Sequence, residues 1–424
     1  QAEAYHWPID FFTPKTWHIR RPAPDALELQ QAVTLIAKAK RPIIIAGGGV
    51  RYSGAHAALQ DFAEAMKIPV AVTQAGKSTI LDHHPLAMGA IGVTGSSVAN
   101  HLAEQADLVL AVGTRLQDFT SGSNGLFKGA LLTLNVQLHD ASKHRATPLV
   151  CDAKAGLLAL IQACGASRLG DDYLQECDAL KSQWRKAQAQ AVAAPSGNSL
   201  PSDGQVIGAV ARNTPDHAII IGAAGSMPGE LHKLWDANSQ DCYHMEYGFS
   251  CMGYELAAAI GVGLACPDRP GIVFVGDGSY LMMNSELITA VLMGIRVTVI
   301  VTDNHGFGCI HRLQAGTGGA AFNNLFIDCK PAQIPRIDFV QHARSMGARA
   351  HRASSIADLE RMVAECVEAP SVDVIVIETN PEDSTEAGGS WWDVAIPEVS
   401  PRPSVERASA AWRKARTSQH KGYR

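Results

Sequence analysis

Two apolar runs in this chain stop abruptly against glycine: RPIIIAGGG at residues 41–49 and GIVFVGDGS at residues 271–279. Runs this short, rich in β-branched residues and closed by a turn, read as strands rather than buried helices. Continuous apolar character over the whole run means that both faces are covered, which is the habit of parallel sheets carrying helices on either side. The rest of the sequence follows that rule. Helical periodicity is predicted at about 26–40, 55–66 and 97–106, and strands at 43–46, 68–73, 108–112, 131–136 and 149–151; a loop carries Gly89, Gly92 and Gly95. A long charged helix, 171–193, runs into APSGNSLPSDG, a Pro/Gly/Ser-rich stretch that marks a domain boundary. The alternation then resumes, with helices at 204–212, 254–265, 284–292, 339–346 and 356–364 and strands at 218–221, 272–275, 297–302 and 372–378. The expectation is α/β throughout: two doubly wound parallel-sheet domains, 26–170 and 204–400, joined by a connecting helix and linker, 171–203. Residues 1–25 read as a linker from a preceding domain, and 401–424 as a solvent-exposed charged helix of no legible function.

Length supports two domains, since 424 residues with 46% hydrophobic content exceed what one core usually holds. The formal net charge is −5 with basic residues scattered along the chain, so neither nucleic acid nor a membrane surface is indicated as partner. The nine cysteines are widely spaced without a CxxC pair and read as reduced thiols rather than a disulfide frame or a zinc site. No apolar stretch approaches a membrane span, and no signal sequence opens the chain, so a soluble cytoplasmic protein is expected.

The chemistry concentrates at Gly276-Asp277-Gly278-Ser279, at the carboxyl end of a predicted central strand where open α/β sheets place ligands. Backbone N–H groups at such a turn suit an anion, whereas the Asp277 carboxylate would repel one. A divalent cation between them removes the conflict. Mg2+ wants about six oxygen ligands, commonly one or two carboxylates plus substrate phosphates. The next strand ends in TDNHGFG, which brings Asn304 and Gly306 to the same end of the sheet, 27 positions (304 − 277) after Asp277. The plainer alternative is an ordinary strand-to-helix turn with Asp277 as an N-cap.

With GDGS, that spacing and the closing DNHGFG, the chain is similar to thiamine diphosphate enzymes of the pyruvate decarboxylase and acetolactate synthase type. The resemblance implies that Asp277, Asn304 and the Gly306 carbonyl hold Mg2+, and that Ser279, with Gly276 and Gly278 beside it, contacts the cofactor diphosphate. It further implies that Met252, in YGFSCMGYELAAAIG, props the cofactor in a bent shape while the Ser250 carbonyl accepts from its amino group. Gly225 and Ser226, in IIIGAAGSMPGELH, match a second diphosphate-side loop. The first half resembles the family's central domain, which in some members binds a nucleotide. Here GGG is not GxGxxG and no acidic residue closes the next predicted strand, so a structural domain is preferred and a dehydrogenase disfavoured.

Further stretches, among them GAIGVTGSSVAN, GTRLQDFTSGS and SWWDVAIPEVS, resemble the family's branch of C–C hydrolases. That branch opens trihydroxycyclohexane-1,2-dione, a small cyclic polyol diketone of inositol catabolism, to 5-deoxyglucuronate. The alternatives are a 2-oxoacid decarboxylase or carboligase such as an acetolactate synthase, and a noncatalytic protein. In the family a glutamate on a preceding pyrimidine-binding domain of about two hundred residues activates the cofactor. Neither Glu246 nor Glu255 falls on that position, so the chain alone is expected to bind cofactor weakly and turn over poorly. The family also implies a homodimer or homotetramer. His244, His305, Arg312 and Gln314 are candidates to face substrate, His305 foremost because it sits inside the metal loop.

Overall fold

The computed structural model describes residues 6–419 apart from 166–168, 196, 198 and 335. Parts of the predicted linker, the Pro/Gly/Ser run, the tail and Pro335 therefore lie outside the described residues.

Two six-stranded, all-parallel sheets organise the described chain. The first comprises β1 (Pro42–Ala46), β2 (Val70–Val72), β3 (Ala87–Ala90), β4 (Leu108–Val112), β5 (Ala130–Asn135) and β6 (Thr147–Val150). Its order is β3-β2-β1-β4-β5-β6, so the direction of winding across the sheet reverses between β1 and β4. Both central strands are buried at every position, as their unbroken apolar runs require. Strand β3 replaces part of the predicted loop. Its sequence, AMGA, offers little β-propensity, and it forms because the main chain of β2 pairs with it.

The long helix Asp171–Ala191 does more than connect. Tyr173, Cys177 and Trp184 pack on Val98, Leu102 and Val109, which places this helix in the first core. The Tyr173 hydroxyl donates to the Pro42 carbonyl at 2.9 Å.

The second sheet comprises β7 (Ile219–Gly222), β8 (Tyr243–Met245), β9 (Gly271–Gly276), β10 (Val297–Asp303), β11 (Arg349–Ala353) and β12 (Val372–Glu378). Its order is β11-β12-β10-β9-β7-β8, and its reversal lies between β7 and β9. The helix Asp203–Arg212 starts with a capping box, in which the Ser202 hydroxyl accepts from Gln205 N while the Gln205 side chain accepts from Ser202 N. Strands β8 and β11 and the helices Met227–Leu234 and Gly308–Gly316 are absent from the sequence expectation. Pro228 and Gly229 mimic a turn signal, yet proline is well tolerated in the first helical turn, where its missing N–H removes nothing.

The expected charged tail helix forms and is largely exposed, tethered to the body at a few points. Helix Pro403–Arg416 buries Val405, the Ser404 hydroxyl donates to Gly318 O at 2.7 Å, and Trp412 Nε1 donates to Asp393 at 2.6 Å. All nine cysteines are free. Among the described residues no helix is long and apolar enough to cross a membrane.

Candidate functional site

A cavity of about 670 Å³ opens at the reversal point of the second sheet. Loops leaving β7 and β9 diverge there in opposite directions and leave a crevice between them. Gly225, Ser226, Ser250, Met252, Gly276, Asp277, Gly278, Ser279, Asn304 and Gly306 all line it, although they come from four separate stretches of sequence.

Asp277 is 1% exposed. Its Oδ2 accepts from Gly306 N at 2.8 Å, while Oδ1 is buried with no hydrogen-bond partner. Burial, followed by the neighbouring Asp303 carboxylate, pushes its pKa up to about 7, against the pull of the Gly306 and Gly278 N–H groups. A buried, unpartnered carboxylate oxygen of this kind is destabilising by itself and calls for a cation. Asn304 is also buried, and its Oδ1 accepts only a long 3.4 Å bond from Gly308 N. Gly306 has φ +147, and a Cβ there would lie 2.3 Å from the Asn324 carbonyl, so glycine is required for the loop to pass.

Glu255, set aside on sequence, is the organiser of the crevice. It is 1% exposed and accepts from the Ser279 hydroxyl at 2.9 Å and from Ala224 N at 3.4 Å, tying the loops after β7 and β9 together. Ser279 therefore has its hydroxyl committed, since Oγ also accepts from Gly253 N at 2.8 Å; only its main chain is left to meet a ligand. The Ser226 hydroxyl is likewise directed to Asp203. Glu246 clamps the next loop, accepting from Gly248 N, Phe249 N and Cys251 N. Burial would raise the Glu246 pKa, but these three N–H groups outweigh it and hold it low. The clamp leaves Ser250 at φ 54, with its hydroxyl on Ala223 O at 3.2 Å, and sets Met252 against the cavity.

The four substrate-facing candidates do not line this cavity. His305 points away from it, with Nε2 2.8 Å from Glu378 and Nδ1 3.3 Å from Asp303. These carboxylates raise its pKa despite partial burial, which would lower it. His244 stacks on Tyr254, Arg312 donates to Pro381 O, and Gln314 holds Ala320 and Asn324. Sequence proximity to Asn304 and Gly306 misled because His305 lies past the end of β10 at φ 60, which turns its ring to Asp303 and Glu378. The facing wall comes instead from Asp118 and Phe119 of the first domain and from Trp392, in the segment after β12. Trp392 packs edge-on against Phe119, centroids 5.4 Å apart, and its Nε1 donates to Asp118 Oδ2 at 3.2 Å. The sequence signals for this wall were the stretches GTRLQDFTSGS and SWWDVAIPEVS, which carry Asp118, Phe119 and Trp392 without showing that they meet.

Comparison with known proteins agrees with this arrangement. Residues 29–160 match the thiamine pyrophosphate enzyme central domain, and residues 223–377 match the C-terminal TPP binding domain. The chain is 39% identical to a 3D-(3,5/4)-trihydroxycyclohexane-1,2-dione hydrolase of Geobacillus thermodenitrificans (strain NG80-2), covering 96% of this chain and 68% of that protein. The chain belongs to the thiamine pyrophosphate enzymes. Proteins of the same name from Clostridium tetani (strain Massachusetts / E88) and Clostridium perfringens (strain 13 / Type A) are each 37% identical, with the same coverage.

The residues present fit the family's cofactor, thiamine pyrophosphate (the diphosphate). A Cβ on Gly225 or Gly276 would meet nothing within 4 Å, so both loops face open space wide enough for a ligand. The donors Asp277 and Asn304 with the Gly306 carbonyl are all oxygen, the set a hard divalent cation prefers.

Proposed function

We propose that the protein serves a thiamine diphosphate-dependent hydrolase reaction, opening the ring of 3D-(3,5/4)-trihydroxycyclohexane-1,2-dione by C–C bond hydrolysis, with Mg2+ held by Asp277, Asn304 and the Gly306 carbonyl. The observation that carries the metal assignment is the buried, unpartnered Oδ1 of Asp277 at the mouth of an open crevice. The reported relatives all bear the hydrolase name, which favours hydrolysis over decarboxylation of a 2-oxoacid.

When bound, the cofactor supplies a carbon nucleophile that also takes up electrons from the breaking C–C bond. The chain's own residues bind and orient. Gly276 and Gly225 leave room for the diphosphate, Gly278 lets the turn pass close to the Phe307 ring, Glu255 fixes the two loops that border the crevice, and Met252 with the Ser250 carbonyl shapes the inner wall. Trp392 and Phe119 present aromatic surface to the C–H face of a polyol ring, and Asp118, held beside the Trp392 indole, offers a carboxylate to its hydroxyl protons. A wall of this kind also limits water around the reacting carbons.

The test is to supply the full chain with saturating thiamine diphosphate and Mg2+ and to follow both the diketone and pyruvate. The expected result is loss of diketone with release of an acid, dependent on both additions, even if slow. Carbon dioxide release from pyruvate with the diketone untouched would overturn the assignment.

A further inference from the structure

Away from the cavity, His351 on β11, Cys366 at the end of helix Ile356–Cys366 and Asp373 on β12 converge, with one potential ligand atom of each within 4.8 Å of the others. The arrangement follows from register: Arg349 of β11 lies opposite Asp373 of β12, so His351 shares a face with Asp373, and the helix end covers that face. Asp373 is completely buried and Cys366 is 2% exposed. Neither His351 Nε2 nor Asp373 Oδ1 makes a hydrogen bond, Asp373 Oδ1 having only an ion-pair contact with Arg349 Nε, and the two atoms face one another at 3.8 Å. That separation is too long for a hydrogen bond but close to the roughly 3.3 Å that two ligands of a tetrahedral ion span when each bond is about 2.0–2.1 Å.

We propose that these three residues form a second metal site, for a borderline-soft divalent cation such as Zn2+, distinct from the oxygen-lined site around Asp277. One imidazole nitrogen, one thiolate and one carboxylate oxygen are the donor types zinc takes, and a water would complete four-coordination. Binding converts the Cys366 thiol to thiolate and releases its proton to solvent. The surroundings already orient the carboxylate: the Ser371 hydroxyl donates to Asp373 Oδ2 at 2.7 Å. Arg349 Nε lies 3.1 Å from Asp373 Oδ1, on a half-exposed side chain, and occupies one side of that oxygen; a carboxylate oxygen has two lone pairs, leaving one for the ion. The bound ion would pin β11, which sits at the sheet edge, to β12 and to the covering helix.

The test uses the full chain, stripped of metal and then saturated with Mg2+, titrated with Zn2+ and separately with Co2+ as a spectroscopic probe. The expected result is one tight equivalent of Zn2+ and, with Co2+, a thiolate-to-metal charge-transfer band. Cys366→Ser removes the band, His351→Gln weakens Zn2+ binding about tenfold or more, and Asp277→Asn leaves both readouts unchanged. Absence of the band in the unaltered protein, or its persistence in Cys366→Ser, overturns the proposal. Should Cys366→Ser fail to fold, the half-buried His351→Gln decides, because unchanged Zn2+ affinity there is equally contradictory.

Discussion

The two sheets have reversal points of the same kind, each bordered by a glycine-rich turn, yet the two crevices differ sharply. In the first domain the cavity between the turns after β1 and β4 is about 160 Å³. Its glycines exist for backbone packing: Gly49 N donates to Gly113 O at 2.8 Å, and a Cβ on Gly47 would lie 2.5 Å from the same carbonyl. In the second domain the cavity is about 670 Å³, and Gly225 and Gly276 face open space. Buried charge diverges in the same way. In the first domain Lys77, 1% exposed, contacts Asp82 at 3.4 Å and donates to the His232 carbonyl at 3.2 Å, whereas Asp277 keeps one oxygen unpartnered. A glycine turn at a strand end therefore marks a ligand site only where its missing side chain leaves room rather than being filled by neighbouring backbone.

Substitutions can break this contrast. Lys77→Met should have the largest effect on folding, about 3–5 kcal/mol, because it strands the buried Asp82 carboxylate; urea unfolding measures it. Gly47→Ala should destabilise by about 1–3 kcal/mol through its clash with the Gly113 carbonyl, with thiamine diphosphate affinity unchanged in calorimetry. Gly276→Ala should do the reverse. Its backbone, φ −74 and ψ 157, suits alanine, so folding should shift by less than about 1 kcal/mol, while the added methyl enters the crevice and lowers cofactor affinity about tenfold.

A smaller effect concerns the seam between the domains. His232 bonds Thr94 at 2.9 Å and the Val72 carbonyl at 3.0 Å, and burial, reinforced by the Lys77 cation, lowers its pKa to about 3. A depressed histidine pKa means the stability is fully present above the ordinary value near 6.5 and is lost as pH falls from there toward 3. Unfolding measured across that window should show an acid limb that His232→Gln flattens. Smallest is Trp392→Ala, which should raise the KM for diketone several-fold to about tenfold with less change in kcat, as expected for loss of a binding wall.

The central strands were legible because full burial demands unbroken apolar runs, and β1, β4, β9 and β10 declare themselves in that way. Edge strands such as β11, RAHRA, were hidden because an edge tolerates charge, and their pairing is imposed by the neighbouring strand. The residues that converge on the cavity were legible for a related reason: each lies at or beside a strand end or helix start, where topology sets position. The wall of Asp118, Phe119 and Trp392 was not, because no local pattern shows which distant loops will meet. The tethers of the tail helix, Ser404 to Gly318 and Trp412 to Asp393, were hidden for the same reason, since they are side-chain hydrogen bonds to distant loops.

On the proposed function, Asp277 joins the protein to a cofactor diphosphate through a divalent ion. Calorimetric titration of the full chain with thiamine diphosphate, with and without Mg2+, beside the same titration of Asp277→Asn, tests it directly. Binding should require Mg2+ and disappear in Asp277→Asn with the fold intact. Equal affinity in the two proteins, or binding indifferent to Mg2+, would contradict it.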